Sequence, residues 1–324
     1  MRNLFDIKDD ELTCSVIKLR DAFLARNWPK ADIIFGGTKF LFVTRPDGKS
    51  FRFVSTMPPT TNAFAFRMAN DKIATYHFLN DFGILQPYTC LLSDNSEERD
   101  TQILDTLSKY NPVVIKPLDG AHGNGVTVNV SSLDESKVAF QKAIKKSPSG
   151  KVLVQEQVFT EQPELRVICI DYKVVGAYWR IPAFVTGDGK RNIEELIAFE
   201  NSTKRTAPYK SNLGFIMEED ALLYLKKIGV DTKMVLRDGE TMRVSGTCNI
   251  GKGGIVKNAI DEISDDFKKT AESIAKEIRL PVVGIDFCGD YLLEVNATPE
   301  LYYPTNDESS MTCIEKFVDY LEQI

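Results

Sequence analysis

The sequence predicts an α+β protein of more than one lobe, on three observations. β-Prone runs come in adjacent pairs joined by short turn segments, the pattern of antiparallel hairpins. Stretches with apolar residues at helical spacing separate those pairs. The chain's 324 residues also exceed what one hydrophobic core usually serves, so two or three packed lobes are expected.

Residues 9–28 put Leu12, Val16, Leu19, Phe23 and Leu24 at helical intervals, an amphipathic first helix that stops near Trp28 and Pro29. A hairpin follows. Runs 39–44 and 50–54 flank Arg45, Pro46, Asp47 and Gly48, whose proline and glycine supply turn geometry. Pro58 and Pro59 break the pattern. From Thr61 to Phe82 the spacing of Phe66, Ile73, Tyr76 and Leu79 reads as one helix, with Gly83 as its stop. Polar Ser93 to Asp100 reads as a loop.

Strands at 113–117 and 126–130 enclose a loop from Leu118 to Gly125 with three glycines in six positions. A helix at 133–146, a β run at 151–157 and a hairpin at 165–170 and 173–179, turning at Asp171 and Tyr172, come next. Thr186 to Gly189 turns the chain into a helix near Asn192, and 198–240 reads as mostly polar and helical. The last third offers a β segment at 241–244, a loop at 247–254, a helix at 264–278, strands at 282–287 and 291–295, and a terminal helix at 312–323. There is no internal repeat and no low-complexity tract.

Apolar residues make up 43% and charged residues 27%, with 20 Gly and 14 Pro, a composition near that of ordinary globular domains. A net charge of -6 argues against a general nucleic-acid binder, which needs clustered Lys and Arg. Residues 1–14 carry acids where a signal peptide would carry a basic segment and an apolar stretch, and no later run approaches a membrane span. A soluble cytoplasmic protein is the expectation, with no membrane or nucleic-acid partner. The six cysteines form no CxxC pair, so reduced thiols are expected rather than a zinc site or a disulfide framework. With His77 and His122 as the two histidines, a His-rich metal centre or a Ser-His-Asp triad has little to draw on.

The strongest chemical feature is Asp286 followed by Glu294 and Asn296. Alternate residues of a strand point the same way, so Glu294 and Asn296 share a face, and an antiparallel neighbour carrying Asp286 brings three oxygen donors together. Such a set suits Mg²⁺, which keeps phosphate and water ligands besides one or two carboxylates. An ordinary hairpin with exposed acids is the competing reading, against which stand the apolar runs around Asp286 and Glu294. Lys116 ends an apolar strand just before the Gly-rich loop, so an ammonium and a row of backbone N–H groups can face a polyphosphate. The loop lacks P-loop spacing, and a plain flexible turn competes. Gln155 to Val158 ends a β run, a place where backbone groups meet an adenine edge. Arg166 and Arg180 lie on two arms of one hairpin, and Arg suits bidentate capture of carboxylate or phosphate.

Taken in order, these segments resemble the ATP-grasp superfamily, and most closely the ATP-grasp module of cyanophycin synthetases and bifunctional glutathione synthases. Val113 to Asn129 is similar to the Lys strand and Gly loop of cyanophycin synthetase; Ile181 to Lys190 resembles the shared PAxVxGDG segment; Asn249 to Gly254 resembles the NxSxGG loop. Ala69 to Lys72, followed by Leu79 and Gly83, is similar to the helix that opens the grasp region. The resemblance runs from about Phe51 to Leu301. It implies an ATP-grasp fold, two α+β lobes gripping the nucleotide, with a short N-terminal lobe at 1–65. The grasp region is expected at 66–324, with a lid-like part near 110–160 and a catalytic part at 161–324.

The resemblance implies roles for particular residues. Lys72 and Lys116 contact phosphates. Gly120, Gly123 and Gly125 of the loop are further nucleotide-binding candidates, and His122 there is one as a phosphate donor, with a solvated loop histidine as the competing reading. Glu156, Gln157, Val158 and Glu164 surround adenine and ribose; Asp286, Glu294 and Asn296 hold magnesium, with manganese as the alternative ion. Arg166, Arg180, Arg243 and Asn249 are the catalytic candidates. The chain departs from the family where an Arg is usual four residues before the loop Asn: Ser245 stands there, and Arg243 lies two residues earlier. Gly251 also replaces the loop serine. The implied activity is ATP-dependent carboxylate–amine ligation through an acyl phosphate, on small-molecule carboxylate and amine substrates such as amino acids or short peptides, with a homodimer as the candidate assembly. The alternatives are an ATP-binding regulatory or scaffold protein without turnover, and an ATP-grasp kinase.

Overall fold

The computed structural model describes residues 1–36, 38–119, 123–160, 162–204, 215–248, 250–303 and 309–324; Lys204 is described by its backbone alone. The N-terminal part is a four-stranded antiparallel sheet in chain order, β1 (Arg2–Asn3), β2 (Lys30–Phe35), β3 (Lys39–Thr44) and β4 (Ser50–Val54). Helix α1 (Cys14–Ala25) packs on it through Val16, Leu19 and Phe23. Asp9 to Glu11 form a separate 3₁₀ turn, so α1 begins five residues later than the periodicity predicts. Strand β2 was not legible as one: its apolar residues crowd at Ile33, Ile34 and Phe35 directly after the Trp28–Pro29 stop.

The expected helix 61–82 is two helices, α2 (Ala63–Ala69) and α3 (Lys72–Asn80). Asp71 separates them, its carboxylate accepting from the backbone N–H groups of Ile73 and Ala74, at 3.1 and 3.0 Å. That is an N-cap, which starts a helix afresh. A second antiparallel sheet follows with order β5-β8-β6-β7, from β5 (Thr89–Leu91), β6 (Val113–Pro117), β7 (Thr127–Val130) and β8 (Val152–Glu156). Helices α4 (Ser96–Lys109) and α5 (Leu133–Ile144) supply Ile103, Leu107, Ala139 and Phe140 to its core. The stretch expected as a loop at 93–100 is largely the first turn of α4, capped by the Asn95 side chain on Glu97 and Glu98.

The third sheet is five-stranded and holds β9 (Glu164–Ile170) and β10 (Lys173–Ile181), the hairpin the sequence predicts. A small domain-like excursion interrupts it: β11 (Phe184–Thr186), α6 (Ile193–Lys204), α7 (Glu218–Lys227) and β12 (Thr241–Arg243), with its own core around Ile197, Leu225 and Leu236. Among the described residues of 198–240, helix covers the end of α6 and the whole of α7, and residues 228–240 are not helical. The sheet then closes with β13 (Ile255–Asn258), β14 (Val282–Cys288) and β15 (Tyr291–Asn296), in the order β13-β10-β9-β14-β15. Helix α8 (Asp265–Ile278) covers one face through Ala271, Ile274 and Ile278. Helix α9 (Ser309–Gln323) covers the other, and its Ile314, Phe317 and Leu321 share a core with Ile33, Leu41 and Phe53 of the N-terminal sheet.

The N-terminal sheet thus shares apolar burial with the C-terminal one. Polar contacts add to the junction: the Ser15 N–H donates to Glu300 at 2.6 Å, and the Thr56 hydroxyl donates to the Pro299 carbonyl at 2.6 Å. Among the described residues no helix is long and apolar enough to cross a membrane.

Candidate active site

Two polar clusters meet between the second and third sheets. The first is built on β6, α3 and β15. Lys116 lies in a strand whose other side chains are apolar, and only 9% of it reaches solvent. Its ammonium donates to the Gln155 amide oxygen at 2.8 Å. Lys72, the first residue of α3, reaches Glu294 of β15 at 3.2 Å. Burial, reinforced by the charge of Lys72 and opposed by Glu294, pulls the Lys116 ammonium down to about 8. These groups line a recess of about 370 Å³ that opens to solvent, with Tyr76, Gln86, Pro87 and Leu292 as further walls.

The second cluster sits on the third sheet, where register decides everything. Asp286 is the cross-strand partner of Glu294 on one side and of Arg166 on the other. The Arg166 guanidinium grips the buried Asp286 carboxylate through both Nε and Nη2, the latter at 2.7 Å. Arg180, two residues along the same face, reaches Asp286 at 3.2 Å and also pairs with Glu164. Asn296 donates to Asp286 at 3.3 Å. Burial alone would push the Asp286 carboxyl up; the two guanidiniums outweigh it and hold the group below the usual carboxylate range. Burial likewise opposes the charge on Arg166, and Asp286 overrides it, so the guanidinium stays ionised. Gly284 makes the space: a Cβ there would stand 2.9 Å from Arg166 Nη1.

The structure therefore brings together Lys72, Lys116, Glu164, Arg166, Arg180, Asp286, Glu294 and Asn296 from the sequence-level candidates. Others have local duties. Glu156 is held by Tyr88, whose N–H donates to its carboxylate at 3.0 Å. The Gln157 side chain bonds Asn129 of β7 twice, at 2.6 and 2.7 Å. It thereby ties the end of β8 to β7; Val158, next along, is half-buried. Gly123, at φ +68°, has open space where a Cβ would go, whereas a Cβ at Gly125, at φ +81°, would stand 2.9 Å from Pro117 and from Lys146. Arg243 ends β12, exposed, with its Nε donating to the Ser245 carbonyl at 2.6 Å. Because β12 stops there, strand alternation does not carry through to Ser245. Gly120, His122 and Asn249 lie outside the described residues.

The donor set of Asp286, Glu294 and Asn296 fits a hard divalent cation: two carboxylates and an amide, all oxygen, converging from paired strands. Asp286 shares its oxygens with two guanidiniums, and each carboxylate oxygen has two lone pairs to share. Among the described residues no group of three or more His, Cys, Asp and Glu forms a self-sufficient metal site. An ion held here must complete its shell with other ligands, as magnesium does on a polyphosphate.

Known proteins resemble this chain in sequence and in fold. Residues 69–203 match the RimK-like ATP-grasp domain. The chain has the ATP-grasp fold. Cyanophycin synthetase of Crocosphaera subtropica is 31% identical over 258 residues, 79% of this chain and 28% of that protein. The glutathione biosynthesis bifunctional protein GshAB of Clostridium perfringens is 27% identical over 259 residues, 78% of this chain and 32% of that one. The crystal structure of a bifunctional glutathione synthetase from Pasteurella multocida superposes with a TM-score of 0.64 at 18% identity, covering 96% of this chain and 44% of that one. The ATP-grasp chain thus spans about a third of the length of the curated relatives it matches.

The residues that sequence reasoning missed are Gln155's side chain and Thr89, which stand behind Lys116. Their signal lies in strand pairing, with Gln155 opposite Thr89 and diagonal to Lys116, and a linear motif does not display it.

Proposed function

We propose that this ATP-grasp chain is an ATP-dependent carboxylate–amine ligase acting on amino acids or short peptides. The observation that carries the reading is Lys116: a buried ammonium on a neutral amide, beside a second lysine, is short of negative charge, and a polyphosphate supplies it. The relatives, by their names a cyanophycin synthetase and a glutathione biosynthesis protein, are biosynthetic enzymes, which supports the choice of a bond-forming reaction.

In this reading Lys72 and Lys116 hold the phosphates of ATP. Arg166 and Arg180, fixed by Asp286, face the transferred phosphoryl group and the acid. The acid's carboxylate oxygen attacks the γ-phosphorus and ADP leaves, giving an acyl phosphate. The amine nitrogen then attacks the acyl carbon, phosphate leaves with the C–O electron pair, and a proton is lost from nitrogen. Such chemistry needs positioning and charge neutralisation more than a protein nucleophile. Asp286, Glu294 and Asn296 would hold magnesium or manganese, which supplies neutralisation of phosphate charge when bound. The exposed Arg243 adds charge stabilisation to phosphoryl transfer. The same proposal puts the protein in the cytoplasm, consistent with six free cysteines.

Hydroxylamine trapping tests the acyl phosphate. The chain, MgATP, hydroxylamine and pooled amino acids or dipeptides should yield a hydroxamate and ADP. A stable phosphoester with no hydroxamate would instead make it a kinase, and tight ATP binding with no turnover would make it a regulatory protein.

A further inference from the structure

Behind Lys116 runs a buried relay. Gln155, one residue before the end of β8, accepts from Lys116 Nζ through its amide oxygen at 2.8 Å, and its amide nitrogen donates to the Thr89 hydroxyl at 2.8 Å. That hydroxyl donates its single proton to the Pro87 carbonyl at 2.9 Å. Thr89 can therefore only accept from Gln155, which fixes the amide's orientation: nitrogen toward Thr89, oxygen toward the ammonium. Lys116, Gln155 and Thr89 are all buried, at 9%, 8% and 5% exposure, so water does not compete for these bonds. A flipped amide would set two donors against each other at Lys116 and two acceptors against each other at Thr89, and is excluded.

We propose that Gln155 is a positioning residue for nucleotide binding: locked by Thr89, it holds the Lys116 ammonium at one point beside the phosphate site without neutralising its charge. The proposal rests on the phosphate role given to Lys116 above. A carboxylate at 155 would be a permanent counter-ion and would compete with the phosphates. An apolar side chain would leave the ammonium without an acceptor, and a buried ammonium without a partner gives up its proton. Glutamine avoids both outcomes. The charged groups that face Lys116 from the packed elements are Lys72 on α3 and Glu294 on β15; Gln155 on β8 and Thr89 on β5 are neutral.

The test titrates Lys116 in the nucleotide-free full chain by NMR of ¹³C-labelled lysine, its signal assigned by loss in Lys116→Met. Gln155→Glu should move the midpoint up by about one pH unit or more, and Gln155→Met should move it down. Thr89→Val, nearly isosteric, should move it down by a smaller step, and carries the test where Gln155→Met fails to fold. Both Gln155 variants should weaken MgADP binding about tenfold, with kcat at saturating nucleotide changed far less. A side chain that merely fills space would leave the midpoint where it is. Equal midpoints in Gln155→Glu, Thr89→Val and wild type overturn the proposal. Because the titration is read without nucleotide, it stands apart from the ligase reading; failure of the wild-type chain to bind MgADP counts against the phosphate role instead.

Discussion

Raising the pH should strip the nucleotide from this protein through one lysine. Lys116 titrates at about 8 in the empty site, against an ordinary 10.5. Beside a triphosphate it faces strong negative charge, so its bound-state value rises and binding above pH 8 must take up a proton. Affinity is then flat below pH 8 and falls tenfold per unit above it, a loss of about 30-fold, or about 2 kcal/mol, between pH 7 and 9.5. Isothermal titration with MgADP in buffers of different ionisation enthalpy reads both quantities. Proton uptake should be near zero at pH 7 and approach one per nucleotide at pH 9.5. In Lys116→Met the residual affinity should be weak and independent of pH over that range. The empty protein carries the opposite sign: the unfolded chain holds this proton more tightly, so stability relative to Lys116→Met should rise from pH 8 towards 10.5. Wild-type affinity that stays constant from pH 7 to 9.5 would refute the reasoning.

Four further outcomes follow. Asp286→Asn leaves the buried Arg166 guanidinium without its counter-ion, while Arg180 keeps Glu164, and should cost about 3–5 kcal/mol in urea unfolding. Because the Asp286 carboxyl is held below its usual range, its contribution should be whole above that usual range, shrink as the pH falls below it, and be gone once the pH has passed through the lowered value. Glu294→Gln, at a half-exposed position, should leave unfolding nearly unchanged, abolish turnover, and weaken nucleotide binding in magnesium but not in EDTA. Arg243→Ala should lower kcat at least about tenfold with little change in nucleotide affinity, since the group acts on the transferred phosphoryl; near-normal kinetics would make it a surface arginine. Gly253→Ala, at φ +96° with its new Cβ 2.9 Å from Ile216 Cα, should cost about 1–3 kcal/mol in the same unfolding assay.

The hairpins were legible because each arm is an apolar run interrupted at turn residues, and the site residues announce themselves as charges inside those runs. Lys116 in β6, Arg166 in β9 and Asp286 in β14 are three such cases, and the register that joins Arg166 to Asp286 follows once the strands are placed. What escaped was short or polar. Helix α4 starts in a string of Ser, Asn and Glu whose only sign is Asn95 three residues ahead of Glu98, a cap rather than an apolar stripe. Strand β5 has three residues, too few for a period to show. The break between α2 and α3 hides because apolar spacing continues across Asp71, while the carboxylate's two cap bonds restart the helix. The Thr89–Gln155–Lys116 relay needs three strands in register and is written in no single segment.

The central claim is amide formation driven by ATP, and its most direct measurement is the product itself. The chain is incubated with MgATP and a mixture of isotopically labelled amino acids and dipeptides, and products are read by mass spectrometry alongside ADP and phosphate. One amide is expected, formed in equal amounts with ADP and phosphate, and absent in Glu294→Gln. Bound ATP with neither amide nor phosphate from any acid and amine combination would contradict it.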